Sequence, residues 1–334
     1  MRPTGFASLL DRVVFGRAYQ RTAGALADFG ALVLPSSCVL CGRWDTSLCP
    51  ACLGLFRSAT ARPFFAEAGA ESLPDVERVA ARAGTGTTDG MPDQNRPSYG
   101  PLPVLAAGRY GRAVSVVLLA YKNHGHVDLA APVAAAMAGA LHQGVSGDAR
   151  VSGVAGVAGV SGVAGGRRVT GPVLIVPVPT RASSRQRRGY DPLMLLLSRL
   201  DRGGHLPAGT VLAPVVRQRS ALVRLPAALF HGGVPALAAL AAARFGRGGG
   251  QKGLGRRRRR ANVLGSMASA RHTRTRLTGR ECIIVDDVLT TGATIGEVHR
   301  VLVQEGAHVL GAVVIAATTS PTGRFPDPDP GPAS

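Results

Sequence analysis

The stretch ECIIVDDVLTTGATIGEVHRVLVQEGAHVLGAVVIAATT at residues 281–319 determines the fold class of this chain. An apolar run at residues 281–286 predicts a buried strand, and the helical spacing of apolar residues predicts a helix at about residues 293–305. Gly306 ends that helix, and the apolar run at residues 308–317 predicts a second strand. A strand, a helix and a strand in this order form a right-handed β-α-β unit. The unit predicts an α/β fold with a parallel sheet that binds ligands at the carboxyl ends of its strands.

Two adjacent carboxylates, Asp286 and Asp287, stand at the end of the first predicted strand. Burying both without partners would cost several kcal/mol, so they require hydroxyl groups or a cation nearby. The small residues TTGAT at residues 290–294 then open the predicted helix. Backbone N–H groups and threonine hydroxyls at the positive end of a helix form a phosphate cradle. Together, the acids and the cradle suit a sugar phosphate, with diol oxygens at the acids and the phosphate at the loop.

The segment CIIVDDVLTTGAT at residues 282–294 resembles the phosphoribosyl-pyrophosphate signature of the type I phosphoribosyltransferases. The resemblance implies a Rossmann-like fold with a parallel central sheet, and Mg²⁺-dependent transfer of a phosphoribosyl group. It also implies that Asp286 and Asp287 are the catalytic residues and hold the ribose hydroxyls. The loop residues that would hold the 5′-phosphate are Val288, Leu289, Thr290, Thr291, Gly292, Ala293 and Thr294.

Three further segments resemble the ComF family, a branch of that superfamily named for competence, the uptake of transforming DNA. They are VPVPTRASSRQRRGYDPLMLLL at residues 176–197, YKNHGHVDLA at residues 121–130, and a Q-x-x-L…R-x-x-N pattern on Gln251, Leu254, Arg259 and Asn262. The resemblance implies phosphoribosyl pyrophosphate or a nucleotide as ligand, and single-stranded DNA or a competence helicase as partner. It does not identify the acceptor. Asp191 stands where the family usually has Asn, which keeps a polar side chain but removes the amide donor.

The apolar run VLIVPVP at residues 173–179 predicts a buried strand, and a basic loop, TRASSRQRRGY, follows it. A pyrophosphate leaving group requires positive charge and hydrogen-bond donors, and we assign Thr180, Arg181 and Arg188 to that role. The alternative interpretation is a solvated basic loop that contacts no ligand.

Four of the five cysteines, Cys38, Cys41, Cys49 and Cys52, lie within fifteen residues in the stretch CVLCGRWDTSLCPAC. Two C-x-x-C pairs are typical of a four-cysteine zinc site, which is structural because four thiolates leave no open coordination position. Disulfides are the competing interpretation, but no convincing export signal indicates an oxidising compartment. Arg43 and Trp44, between the pairs, either contact nucleic acid or simply cover the metal module.

The chain has 334 residues and a formal net charge of +19. Its 39 basic residues include lysine only at Lys122 and Lys252, so 39 − 2 = 37 are arginine, which is typical of a GC-rich coding genome as well as of an anion-binding protein. Nine of the 39 lie in two runs, residues 181–188 and 256–260. This concentration favours phosphate chemistry at one site. The second run also supports an alternative function, a non-catalytic accessory that binds single-stranded DNA.

We predict an N-terminal helical segment at residues 1–35, a zinc-binding module at 36–60, a linker at 61–100 and a phosphoribosyltransferase-like domain at 101–319. Insertions are expected at about 143–170, where VSGVAGVAGVSGVAGG is repetitive, and at 220–250, followed by a disordered tail at 320–334. No uncharged apolar run reaches the roughly 18 residues of a membrane span. We therefore expect a cytoplasmic protein without a membrane span.

Overall fold

The computed structural model describes residues 37–78, 98–123, 126–145, 171–180, 184–185, 189–219, 263, 265–270 and 277–318. Several predictions fall outside these ranges: the helical segment at 1–35, most of both insertions, and the tail. Arg181, Arg188, the run at 256–260 and the Q-x-x-L…R-x-x-N pattern also lie outside the described residues. The interpretations of these residues stay predictions.

Six strands form the central sheet. In spatial order they are β1 (Phe64–Phe65), β4 (Val104–Arg109), β10 (His308–Ala317), β9 (Glu281–Leu289), β5 (Val173–Pro177) and β6 (Thr210–Leu212). Only the edge strand β1 is antiparallel to its neighbour, and the other five run parallel to one another. The predicted α/β fold is therefore confirmed, with one antiparallel edge added to the parallel sheet.

The β-α-β unit predicted at the carboxyl-terminal end of the chain consists of β9, helix α5 (Ala293–Gln304) and β10. Strand β9 runs three residues beyond the predicted end at Asp286. Its pairing with β10 continues to the partners Leu289 and Ala317, which keeps the backbone extended past the two acids. The apolar face of α5 is buried, and the helix packs against both strands of the unit.

Three more helices follow the strands: α2 (Arg112–Asn123), α3 (Ala130–Val145) and α4 (Pro192–Arg202). Helix α3 packs against β4 and β10, and α4 packs against α3 and β6. The apolar spacing at residues 128–141 predicts a helix. The observed helix α3 begins two residues later, because Val127–Leu129 forms a 3₁₀ turn before it, and it ends four residues later than predicted. Among the helices in the described ranges, none is long and apolar enough to cross a lipid bilayer.

The apolar residues from Thr210 to Val216 predict one strand, but the structure has two strands there. Strand β6 ends at Leu212, and β7 (Val216–Gln218) pairs antiparallel with β8 (Met267–Ser269) in a separate sheet. Pro214 lies between the two strands, and proline has no N–H group with which to continue a ladder.

The stretch interpreted as a linker at residues 61–100 differs from that prediction where it is described. Its first part supplies β1, and β2 (Asp75–Arg78) pairs antiparallel with β3 (Ser98–Pro101). The interpretation missed β1 because two residues are too few to show a period-2 pattern. The described residues between the cysteine pairs and β4 are thus attached to the sheet domain.

Helix α1 (Pro50–Thr60) follows the second cysteine pair and joins that module to the domain. The helix packs against α2, α3 and β4. Its Phe56 side chain is fully buried within the main hydrophobic core. The cysteine module is therefore a part of the domain surface and not a separate body.

Candidate sugar-phosphate site

Asp286 and Asp287 lie near the carboxyl end of β9, between the neighbouring strands β10 and β5. Both carboxylates are partly buried. The Asp287 N–H group donates a hydrogen bond of 2.8 Å to Oδ1 of Asp286. Burial first, and then the negative charge of Asp287, raise the pKa of Asp286 to about 8. The free site therefore disfavours the charged form of Asp286, which a cation or a hydrogen-bond donor on a ligand would favour.

Lys122, in the last turn of α2, forms an ion pair with Asp287. Its Nζ lies 2.5 Å from Oδ2 of Asp287, and the two side chains are only 23% and 21% exposed. Lys122 belongs to the ComF-like segment at residues 121–130 and is expected near a helix end, where it lies. Its contact with Asp287 was not predicted, because the two residues are 165 positions apart in the chain.

The loop at residues 290–294 leads directly from β9 into α5. Gly292, which precedes the first residue of the helix, adopts a left-handed backbone conformation with φ of +79°. The Ala293 N–H group donates to the Thr291 hydroxyl at 3.4 Å. The first N–H groups of a helix have no intrahelical partner, and they attract anions together with the helix dipole. The described loop therefore leads through a left-handed glycine into a helix N-terminus, a position that attracts anions.

A segment of the expected linker supports this loop from outside. The Ser72 N–H group donates a 2.8 Å hydrogen bond to the Thr291 carbonyl oxygen. A Cβ atom added to Gly292 would lie 2.7 Å from Cδ2 of Leu73 and 3.2 Å from its backbone nitrogen. On the other side of the segment, the Leu102 N–H group donates to the Pro74 carbonyl oxygen at 2.8 Å. The segment thus fixes the position of the loop relative to the sheet.

Replacing Gly292 by alanine is expected to destabilise the chain by about 1–3 kcal/mol, because alanine would be strained at this positive φ and would collide with Leu73. Urea unfolding of the two proteins measures the difference in unfolding free energy. The control is Gly139→Ala in the middle of α3, where an added Cβ meets nothing within 4 Å and φ is not positive. That substitution should leave the stability unchanged or raise it by up to about 1 kcal/mol. Equal effects of both substitutions would contradict the strain at Gly292.

The structure places Thr180 at the same edge of the sheet as the acids. The Val178 N–H group, just past β5, donates to the Val285 carbonyl oxygen at 2.9 Å, and Thr180 follows two residues later. The Gln218 side chain donates to the Pro179 carbonyl oxygen at 3.2 Å and anchors this turn. The other two residues assigned to pyrophosphate, Arg181 and Arg188, lie outside the described part of the chain.

Two tyrosines connect the end of α2 to the start of α4. Tyr190 donates a hydrogen bond from its hydroxyl to the Tyr121 carbonyl oxygen, and Tyr121 donates from its own hydroxyl to the Pro192 carbonyl oxygen, both at 2.8 Å. Asp191, between them, caps α4 by accepting a 3.2 Å bond from the Met194 N–H group. An N-cap requires only an acceptor, so aspartate in place of asparagine preserves this function.

The four cysteines Cys38, Cys41, Cys49 and Cys52 come together as predicted. Their Sγ atoms all lie within 4.8 Å of one another, and the Sγ atoms of Cys41 and Cys49 are 3.7 Å apart. A tetrahedral zinc site with Zn–S bonds of about 2.3 Å separates its sulfurs by about 3.8 Å, so the cluster could hold a zinc ion.

Hydrogen bonds and burial shift the pKa values of Cys38 and Cys52 in opposite directions. Burial would raise the pKa of Cys38, but hydrogen bonds from backbone N–H groups, that of Cys49 first, lower it to about 6. Burial, followed by the neighbouring thiols, raises the pKa of Cys52 to about 12. Four neighbouring thiolates repel one another unless a cation is present. The fifth cysteine, Cys282, is buried in β9, and burial raises its pKa to about 12, as expected for a packing residue.

Comparison with known proteins agrees with this arrangement of acids and loop. Residues 229–327 match the family described as "Phosphoribosyl transferase domain". Over 48 residues the chain is 46% identical to adenine phosphoribosyltransferase of Mycolicibacterium gilvum. This matched stretch covers 14% of this chain and 27% of that protein. Over 46 residues it is 48% identical to the same enzyme of Mycobacterium tuberculosis H37Rv, covering 14% of this chain and 22% of that protein. The chain thus spans about a quarter of the length of these curated relatives. The part of the chain that matches the phosphoribosyl transferase domain is the part that carries the acid pair and the loop.

Proposed function

We propose that this protein binds phosphoribosyl pyrophosphate with Mg²⁺ and transfers its phosphoribosyl group to an acceptor. The observation that carries the proposal is the position of Asp286 and Asp287 at the end of β9, directly before the loop that opens α5. The proposal is supported by the position of these carboxylates beside a helix N-terminus at the carboxyl edge of a parallel sheet, where α/β folds bind ligands. The match of residues 229–327 to the phosphoribosyl transferase domain supports the same conclusion.

In the proposed reaction, Asp286 and Asp287 accept hydrogen bonds from the ribose hydroxyls, and residues 288–294 hold the 5′-phosphate. Thr180, Arg181 and Arg188 bind the pyrophosphate. The bond from the anomeric carbon to the pyrophosphate oxygen breaks, and the acceptor nucleophile forms a new bond to that carbon. The protein accelerates this step by positioning and by stabilising charge.

Mg²⁺ is the metal that this chemistry implies, and carboxylate oxygens such as those of Asp286 and Asp287 are donors that suit it. Asp286 and Asp287 would hold the metal together with the substrate, and the metal would supply positive charge that stabilises the departing pyrophosphate.

We also propose that the protein is a member of the ComF family and acts in the cytoplasm, in competence and DNA uptake. The support is the resemblance of three segments to that family, together with the cysteine cluster beside the phosphoribosyl transferase domain. In this proposal Zn²⁺ is structural, because its four ligands Cys38, Cys41, Cys49 and Cys52 leave no coordination position for a substrate.

A second candidate function is a non-catalytic accessory that binds single-stranded DNA. One observation favours it: Trp44, at the tip of the cysteine module, is 68% exposed, and Arg43 beside it is exposed too. An exposed aromatic ring next to an arginine offers a stacking platform for a base. If this function is correct, Trp44→Ala should weaken single-stranded DNA binding several-fold, and neutralising residues 256–260 should lower the salt slope. Unchanged affinity and slope would exclude this function.

The transferase proposal is tested by the release of inorganic pyrophosphate from phosphoribosyl pyrophosphate and Mg²⁺ in the presence of a panel of nucleobases. Adenine is the first acceptor to try, because the relatives are named adenine phosphoribosyltransferases. The proposal expects release that depends on one acceptor and that is lost when Asp286 and Asp287 are both replaced by asparagine. If the variant releases pyrophosphate as fast as the wild type, Asp286 and Asp287 are not catalytic.

A further inference from the structure

The ion pair between Lys122 and Asp287 has no role in the reaction as proposed so far. We propose that Lys122 is a counter-ion that exchanges partners. In the free site its ammonium group neutralises Asp287. When the ribose hydroxyls of the substrate replace the ammonium group at Asp287, the ammonium group moves to the pyrophosphate of the substrate. This inference rests on the proposed function and adds one pyrophosphate-binding residue to it.

The first support is the state of the acid pair. Lys122 is the described cation in contact with Asp287, at 2.5 Å, and the pair is only about one-fifth exposed. A carboxylate oxygen held this closely by an ammonium group is less available to a ribose hydroxyl. Substrate binding at Asp287 therefore requires the ammonium group to withdraw or to share the carboxylate.

The second support is where Lys122 is anchored. The hydrogen bonds from the Tyr190 hydroxyl to the Tyr121 carbonyl oxygen and from the Tyr121 hydroxyl to the Pro192 carbonyl oxygen fix the backbone at the end of α2 to the segment that starts α4. That segment directly follows the basic loop at residues 181–188, to which we assign the pyrophosphate. The backbone of Lys122 is thus fixed, and its side chain contacts Asp287 at the edge of the sheet where the described Thr180 also lies, so only the flexible stem has to move.

The third support is the residue type. In a chain with 37 arginines, lysine occurs at only two positions, and one of them is in this site. An arginine would grip a carboxylate with two parallel hydrogen bonds from a planar fork. A lysine offers a point charge on a flexible four-carbon stem, which suits an ion that has to change partners.

The test compares two ligands that differ in the pyrophosphate group. Binding of phosphoribosyl pyrophosphate and of ribose 5-phosphate, each with Mg²⁺, is measured by calorimetry for the wild type and for Lys122→Met. We expect the substitution to weaken phosphoribosyl pyrophosphate binding at least tenfold, while ribose 5-phosphate binds as tightly as before or more tightly. Arg112→Met, which removes a positive charge from the other end of α2, should change neither affinity by more than about twofold.

A purely structural ion pair would give a different result, because Lys122→Met would then weaken both ligands equally. Equal weakening, or wild-type affinity for phosphoribosyl pyrophosphate, overturns the inference. If Lys122→Met does not fold, Lys122→Gln provides the same comparison with a polar side chain of similar length. If the wild-type chain binds neither ligand, the proposed function itself is wrong and the inference falls with it, so the two failures are distinguishable.

Discussion

Replacing Cys38 and Cys41 by serine is expected to abolish zinc binding and to lower the unfolding free energy by about 3 kcal/mol or more. Structural zinc sites contribute their binding energy directly to folding. Here the cluster fixes the start of α1, whose Phe56 side chain is part of the main core, so the loss extends into the domain. For a domain of this size, about 3 kcal/mol corresponds to a fall in Tm of roughly 6–12 °C.

Two measurements check this expectation. Metal analysis of purified protein should find one zinc per wild-type chain and none in the double variant. Hydrogen exchange should lose protection at residues 37–52, where the Cys38 N–H group donates to the Arg43 carbonyl oxygen at 2.7 Å. The matched control is Cys282→Ser, which alters a buried cysteine outside the cluster and should keep one zinc per chain. Stoichiometric zinc in the double variant would show that these cysteines are not the ligands.

Replacing Asp286 by asparagine is expected to stabilise the free protein at alkaline pH while weakening phosphoribosyl pyrophosphate binding at least 100-fold. Burial and the charge of Asp287 raise the pKa of Asp286 from 3.8 to about 8 in the folded chain. Between these values the unfolded chain binds fewer protons than the folded chain, so the stability of the wild type falls as the pH rises. Asparagine cannot ionise, and its carbonyl oxygen can still accept the hydrogen bond from the Asp287 N–H group.

The advantage of the variant should therefore grow by on the order of 2 kcal/mol between pH 6 and pH 8. Denaturant unfolding at both pH values measures it, and calorimetry measures the loss of ligand binding. Asp201→Asn, on the exposed end of α4, is the control and should show neither effect. A stability difference that does not depend on pH would contradict the raised pKa of Asp286.

The β-α-β unit could be predicted because the apolar runs, the helical period and the glycines at the helix ends all indicate the same elements. The apolar runs of β9 and β10 are long enough to identify strands, and α5 has a helical apolar period and a glycine at each end. The acid pair and the loop lie within this local pattern, so their proximity follows from chain order alone. The cysteine cluster could be predicted for the same reason, since its four residues are close in sequence.

The contacts that the sequence did not reveal are those between distant parts of the chain. Lys122, in the last turn of α2, contacts Asp287 of β9 although the two residues are far apart in sequence, and no local pattern encodes that contact. Ser72 and Leu73 support the loop from a stretch whose alanine, glycine and proline content is typical of a linker. Tertiary packing overrides composition at these residues, and periodicity carries no information about which surfaces meet.

The most direct test of the central claim is a titration of the protein with phosphoribosyl pyrophosphate and Mg²⁺ by calorimetry. The wild type is compared with the double variant in which Asp286 and Asp287 are both alanine, after circular dichroism has shown that both are folded. A sugar-phosphate site at the end of β9 predicts saturable binding by the wild type with one site per chain, and at least 100-fold weaker binding by the variant. No binding by the wild type, or equal affinity of the two proteins, would contradict it.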